Sequence, residues 1–312
     1  MAGRISHFAA RRLAQLIEKP WFFGLFLSLA TALIPLSANA TVNLLNADGS
    51  ITTLTSPAES VVTLSPNLAE LVFAAGGSTK LKAVVEWSDY PQEVKNLPRI
   101  GNAFRLDMEQ LLILKPDLVI AWDSGNPADV LDKIESLGIP VWRTGVSTPE
   151  QIADLLENIG KALATTATAK IAAADYRREL KALVQEYQQS PAFRYFIQLY
   201  ATPLYTVNGE HLISHALAVC HGVNVFSELV TLAPAVSHEA VLAAAPEVIF
   251  YTQSEQPESS HNNTVAIWSP WLGSSPDPHF TRLNPDWITR PGPRLLAGIR
   301  QACQSQQQRG HQ

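Results

Sequence analysis

The chain has 312 residues, 46% of them hydrophobic and 16% charged, with 23 basic and 28 acidic side chains for a net charge of −5. An acidic balance of this kind argues against nucleic acid or an anionic membrane surface as the partner. The length admits one large domain or two modest ones.

Residues 1–40 stand apart from the rest. Arg4, Arg11, Arg12 and Lys19 precede the apolar run WFFGLFLSLATALIPL, and the segment closes on Ala38-Asn39-Ala40, the small-residue pattern that signal peptidase accepts. A retained membrane anchor is the other reading, but the apolar run is short for a span. The twin arginines lack the usual context of the alternative export route, so ordinary secretion is expected. Setting aside the four basic residues and one acid of 1–40 leaves 19 basic against 27 acidic residues, a charge of −8. No later run is long enough to cross a bilayer. Cys220 and Cys303 both lie in the exported part, where an even pair usually forms a disulfide. Such a bridge ties the last helix back to the middle of the second half and contributes up to ~4 kcal/mol in the loop-entropy model. No cysteine follows the cleavage site, so a lipid anchor is not expected.

From residue 41 the chain reads as α/β. VNLLNADGSITTLT (42–55) alternates around an Asp48-Gly49 turn and predicts an edge hairpin. The β-branched runs 61–64, 81–87, 118–122 and 141–145 alternate with helical patterns over 66–75, 107–114 and 127–137. That alternation predicts a mostly parallel sheet. Over 148–190 the rhythm stops. Thr148-Pro149-Glu150-Gln151 is a helix start with a hydroxyl cap, an early proline and a capping-box glutamine. Apolar residues then recur at helical spacing from Ile152 to Tyr187, with no proline before Pro191. One helix of roughly 40 residues, ~60 Å long, is expected to connect two lobes. Beyond it the βα rhythm returns, with FRYFIQLY, a helix over 212–220, another over 238–244, EVIFYT, and a closing helix over 293–304. The expected parts are a signal peptide (1–40), an N-terminal lobe (41–146), a connecting backbone helix (147–191) and a C-terminal lobe (192–312).

One phrase occurs twice. DMEQLLILKPDLVIAW (107–122) and SHEAVLAAAPEVIFYT (237–252) both carry Glu at the third position, Pro at the tenth, then an acid and an apolar strand. Proline followed by an acid is a common helix-to-strand connector. The shared glutamate offset of Glu109 and Glu239 favours instead two lobes of one design.

Enzymatic signatures are missing. The chain has no G-x-S-x-G elbow, no H-E-x-x-H and no phosphate-cradling glycine loop. His211 and His215 could share a helix face and grip a metal ion, with His221 nearby, or could equally cap and pack. Trp87, Phe104 and Trp122 fall at or beyond the ends of first-lobe strands, where open parallel sheets bind ligands. Tyr205 and Trp287 fall in second-lobe loops. Aromatic faces across a cleft suit a large, partly apolar ligand, and core packing is the competing use for each. The stiff segment Asp286–Pro293 displays Arg290, either as plain surface loop or as a polar clamp on a ligand.

VVTLSPNLAELVFAAG, EWSDYP, LDMEQLLILKPDLVIAW, SLGIPVW, CHGVNVF, AVSHEAVLAAAPEVIF and DWITRPGPR, in this order and spacing, resemble the periplasmic binding proteins of the helical-backbone class. Within that class the resemblance leans to those that carry vitamin B12 (cobalamin) for ABC importers. It spans nearly all of 60–305 and includes both cysteines. It implies two lobes on a backbone helix and a corrinoid held in the cleft between them. It also implies periplasmic location, no catalytic residue, no cofactor or resident metal, and a monomer that delivers its ligand to a permease dimer. By position it assigns Glu109 and Glu239 to docking on that permease, since a two-fold partner offers the same basic pocket twice. A helix N-terminus would favour either acid without any docking. The resemblance places Trp87, Trp122, Arg290 and Tyr205 at ligand contacts, with Phe104 beside Ala103 and Trp287 as further candidates. Two tryptophans of the family pattern fall on Ala103 and Ala233. A different corrinoid, another tetrapyrrole such as haem, or an iron siderophore therefore stays open as ligand. A secreted metal-dependent enzyme using His211 and His215 is the reading of another class.

Overall fold

β1 (Val42–Leu45) and β2 (Ile51–Leu54) pair antiparallel across the expected turn. Asp48 accepts hydrogen bonds there from the Ser50 amide and hydroxyl, and Gly49 takes φ +85°. The computed structural model describes residues 41–252, 267–268, 270–271 and 279–309; the expected signal peptide lies outside them.

The first lobe runs β3 (Val61–Thr63), α1 (Pro66–Ala74), β4 (Leu81–Ala83), α2 (Met108–Leu114), β5 (Leu118–Trp122), α3 (Ala128–Ser136) and β6 (Val141–Thr144). Its sheet has the order β4-β3-β5-β6, every pair parallel. Both faces are covered, which is why β5 is apolar throughout rather than alternating. Leu118 and Ile120 face the core shared with the rest of the molecule, while Val119 and Ala121 pack with Leu111, Leu131 and Ile134 of α2 and α3.

The single rod expected over 148–190 is two helices, α4 (Gln151–Ala162) and α5 (Thr166–Tyr187), folded back on each other. Arg177 reaches Asp154 at 2.7 Å and Glu157 at 2.6 Å. A straight helix would hold Arg177 and Asp154 ~35 Å apart at 1.5 Å per residue. The reversal uses Ala164 at φ 53°. Gly160 permits it, since a Cβ there would lie 2.2 Å from the Cβ of Ala169. Each helix needs an apolar stripe for its own partners, so the two stripes read as one unbroken period. The connecting role falls to α5 alone. Of the expected helix start the glutamine is in place, its side chain accepting from the Ser147 and Thr148 amides, but the helix opens at Gln151, after Pro149, and no side-chain hydroxyl caps it.

The second lobe runs β7 (Phe193–Gln198), the small antiparallel hairpin β8 (Tyr200–Ala201) and β9 (Leu204–Tyr205), α6 (Leu212–Ala218), β10 (Gly222–Asn224), α7 (His238–Ala243), β11 (Val248–Thr252), β12 (His279–Leu283), α8 (Pro285–Ile288) and α9 (Leu295–Arg309). Its sheet has the order β10-β7-β11-β12, again all parallel. In order of appearance, both sheets therefore place their strands second, first, third, fourth. The sequence does not predict the hairpin, β10, β12 or α8, and the stiff segment Asp286–Pro293 that reads as loop starts inside α8. Cys220 and Cys303 form the expected disulfide.

The repeated phrase is repeated in structure. Asp107 caps α2 by accepting from the Gln110 amide at 2.9 Å, and Ser237 caps α7 by accepting from Ala240 at 3.2 Å. Lys115 and Ala245 end the helical stretch at φ 44° and 46°, each just before a proline. The acid after that proline tethers the start of the neighbouring strand: Asp117 accepts from the Glu59 and Ser60 amides, and Glu247 from Arg194. One apolar core spans both lobes, from Leu44 and Leu68 through Ile159 and Leu183 to Tyr195, Phe250 and Ile299. α5 packs on α1 on one side and on α9 on the other.

Candidate ligand-binding site

A cleft of about 300 Å³ opens at the C-terminal ends of the first-lobe strands, where parallel sheets present ligands. Ser65, Pro66 and Asn67 enter it from the β3–α1 turn, and Trp122 and Ser124 from the end of β5. Opposite them the second lobe contributes Glu210, His211, Leu232 and the 289–291 segment. Of the expected contacts, Trp122 and Arg290 line this cleft together. Trp87, Phe104, Tyr205 and Trp287 do not line it.

Each element of the cleft is held by local chemistry. The Trp122 amide donates to Asn126, whose side chain in turn donates to the carbonyls of Leu64 and Ala103, closing the end of the sheet. Gly125 leaves room for the indole, since a Cβ there would lie 3.1 Å from Trp122 Cδ1. Across the cleft, Asn208 pins the loop before α6. Its side chain donates to the Leu229 carbonyl and its amide to Leu232, while its carbonyl accepts from the buried Ser214 hydroxyl. Ser214 also accepts from Asn224 and from the Tyr195 hydroxyl.

Beside the cleft, charge joins the two lobes. Glu70, buried in α1, takes a bidentate contact from Arg294 at 2.6 and 2.8 Å. Burial raises its carboxyl above the ordinary value, against the pull of Arg294 and Arg290. The two-pronged Arg294 contact favours the charged carboxylate against that burial. Burial also weighs on Arg294, but Glu70 more than offsets it, and its basicity is raised. Arg294 additionally lies over the Tyr90 ring, 4.2 Å from the centroid. Arg290 is not a free clamp: it pairs with Asp89 at 2.7 Å and Asp286 at 2.9 Å, with Glu70 at 3.5 Å. Asn67 adds a bond across the same junction, donating to the Pro291 carbonyl at 3.1 Å.

Of the expected aromatics, the two most exposed lie in first-lobe loops. Trp87 is 80% exposed and sits at φ 66°. A bulky residue in that region costs ~1–3 kcal/mol of backbone strain. Phe104 is 73% exposed, on a turn in which Asn102 accepts from the Phe104 and Arg105 amides. Glu109 and Glu239 are exposed at matching first-turn positions of α2 and α7. The helix-end backbone and Ser237 lower the Glu239 carboxyl below its usual range.

The histidine pair does not form the metal grip that a shared helix face would give. His211 precedes α6 as its N-cap, with Nδ1 accepting from the Ile213 amide at 3.1 Å. Among the described residues no group of three or more His, Cys, Asp or Glu could hold a metal ion. Sequence reasoning missed the β3–α1 turn as a cleft wall. The signal was present, since Ser65-Pro66-Asn67 combines a strand end with a proline-led helix start.

Residues 61–266 match the family model described as periplasmic binding protein. A vitamin B12-binding protein of Vibrio vulnificus (strain YJ016) is 37% identical over 258 residues, 82% of this chain and 92% of that protein. A vitamin B12-binding protein of Yersinia pestis (strain Pestoides F) is 36% identical over 257 residues, 81% of this chain and 89% of that one. Among solved structures, the periplasmic vitamin B12 binding protein of Vibrio cholerae superposes with TM-score 0.73 at 36% identity, covering 82% of this chain and 99% of its own. A periplasmic haem-binding protein of Pseudomonas aeruginosa shares the fold, with TM-score 0.66 at 24% identity over 80% of this chain and 92% of its own.

Proposed function

The chain belongs to the periplasmic binding protein family, and from that premise we propose that it captures a corrinoid, vitamin B12, between its lobes and delivers it to an ABC importer. The observation that carries the ligand choice is identity of 37% over nearly the whole exported chain to vitamin B12-binding proteins, against 24% for the haem-binding neighbour. The cleft supports it with an aromatic face at Trp122 on one side and hydrogen-bonding groups on the other. We assign Trp87, Phe104, Tyr205 and Trp287 to the parts of the ligand that project beyond the cleft. Arg290 contributes by fixing the junction of the lobes, with its guanidinium shared among carboxylates.

No covalent step is assigned. Glu109 and Glu239 are the docking acids, one per lobe on equivalent helices, suited to a two-fold permease. Residues 1–40 export the chain to the periplasm. Because α5, the shared core and the Glu70–Arg294 pair join the lobes, ligand binding changes their angle little. Calorimetric titration of residues 41–312 with cyanocobalamin and with haemin tests the reading. Saturable binding of one cyanocobalamin per chain is expected; heat with haemin alone, or with neither, overturns it.

A further inference from the structure

We propose that His211 orients the ligand in this cleft, its Nε2–H donating a hydrogen bond to a neutral acceptor such as an amide carbonyl. The proposal rests on the cleft being the ligand site, as read above.

The proton is placed by the cap. Nδ1 accepts from the Ile213 amide, so a neutral ring carries its hydrogen on Nε2. No hydrogen bond among the described residues uses Nε2, and His211 lines the cleft across from Trp122. Most other donors there are committed. Ser65 donates to Asn67, Asn67 to Pro291, Thr289 to Pro285, and Arg290 to Asp89 and Asp286. The hydroxyls of Ser124 and Ser147 and the indole N–H of Trp122 remain; the hydroxyls rotate and the indole belongs to the first-lobe wall, so on the second-lobe wall the capped imidazole is the donor held in one direction.

The surroundings select a neutral acceptor. Glu210 lines the same wall and repels an anion. Burial, with His215 adding repulsion, lowers the His211 ring to about 4, so it donates uncharged at neutral pH. Metal coordination through Nε2 would require moving the proton to Nδ1, where it would face the Ile213 N–H and break the cap. The ring is therefore built as a donor and not as an axial ligand to a bound metal centre. Peripheral amides are the matching groups on a corrinoid.

His211→Ser keeps a cap and removes the cleft donor; His211→Asn keeps a cap and a shorter donor. For His211→Ser the expectation is a cyanocobalamin Kd raised about 3- to 10-fold with an unchanged unfolding midpoint, and for His211→Asn a smaller rise. Long-range proton–nitrogen NMR of the ligand-free chain at pH 7 should show the hydrogen on Nε2. Wild-type affinity in His211→Ser, or a ring protonated on Nδ1, overturns the proposal. Wild-type protein that gives no heat with cyanocobalamin overturns the corrinoid reading instead, and the tautomer measurement then decides the donor by itself.

Discussion

Laid strand on strand, the two lobes agree in their frame and differ where they face each other. They share the strand order, the capped helix with an acid in its first turn, the left-handed residue before proline and the acid that tethers the next strand. At the cleft the first lobe sets an indole and the β3–α1 turn, whereas the second sets Glu210, His211, Thr289 and Arg290. The shared features act through backbone groups, three residues away for the caps and 53 to 58 residues away for the tethering acids, so they persist whatever the side chains around them become. The cleft-facing side chains lie outside that shared pattern, and where they bond, as His211 to Ile213 and Asn67 to Pro291, they do so differently in each lobe. Unlike walls on like frames can hold an unsymmetrical ligand in one orientation, which two equal walls could not.

The largest break in this comparison is covalent. Only the second lobe is cross-linked, with a separation of 83 residues between Cys220 and Cys303. Replacing both by serine should cost about 4 kcal/mol in denaturant unfolding, with the first lobe unchanged in local hydrogen exchange. Next is the junction. Glu70→Ala strands Arg294 at the contact between lobes and should cost about 3 kcal/mol, read from the unfolding midpoint. A loss below ~1 kcal/mol would show that the shared core, not this pair, joins the lobes.

A smaller effect separates the two cleft walls by pH. The unfolded chain protonates His211 below about 6.5, whereas the folded chain resists until about 4. The unfolded state thus binds more protons in that window, and stability falls as pH drops from 6.5 to 4, by at most ~3 kcal/mol from this group. His211→Ser should flatten that part of the stability profile. Smallest in stability is the symmetric test. Glu109→Lys and Glu239→Lys should each leave the unfolding midpoint almost unchanged, since both acids are exposed in a helix first turn. Both should leave cyanocobalamin affinity unchanged and abolish uptake when combined. A drop in affinity would place the acids in the ligand site.

The frame was legible because it follows period and punctuation. β5 reads as a buried strand from Leu118 to Trp122, and the Asp48-Gly49 hairpin follows from its turn residues. The reversal between α4 and α5 was not legible, because it rests on Gly160 and Ala164 within a run whose apolar spacing never lapses. β12, His279–Leu283, is short and polar at its edge position, and gains its strand character from pairing with β11. The junction left only a hint, an acid inside the apolar run of α1, since nothing in the sequence points from Glu70 to a residue more than two hundred positions away. Of the site, Trp122 was visible as an aromatic ending a strand. His211 was visible as a histidine, but its partner at Ile213 and the direction of its free nitrogen depend on how the preceding loop is pinned.

A crystal structure of residues 41–312 with cyanocobalamin tests the central claim most directly. The account places the corrin against Trp122, with an amide carbonyl within hydrogen-bond distance of His211 Nε2. Density instead in the larger cavity of about 720 Å³ between Glu186, Phe193 and the Cys220–Cys303 bridge would contradict it.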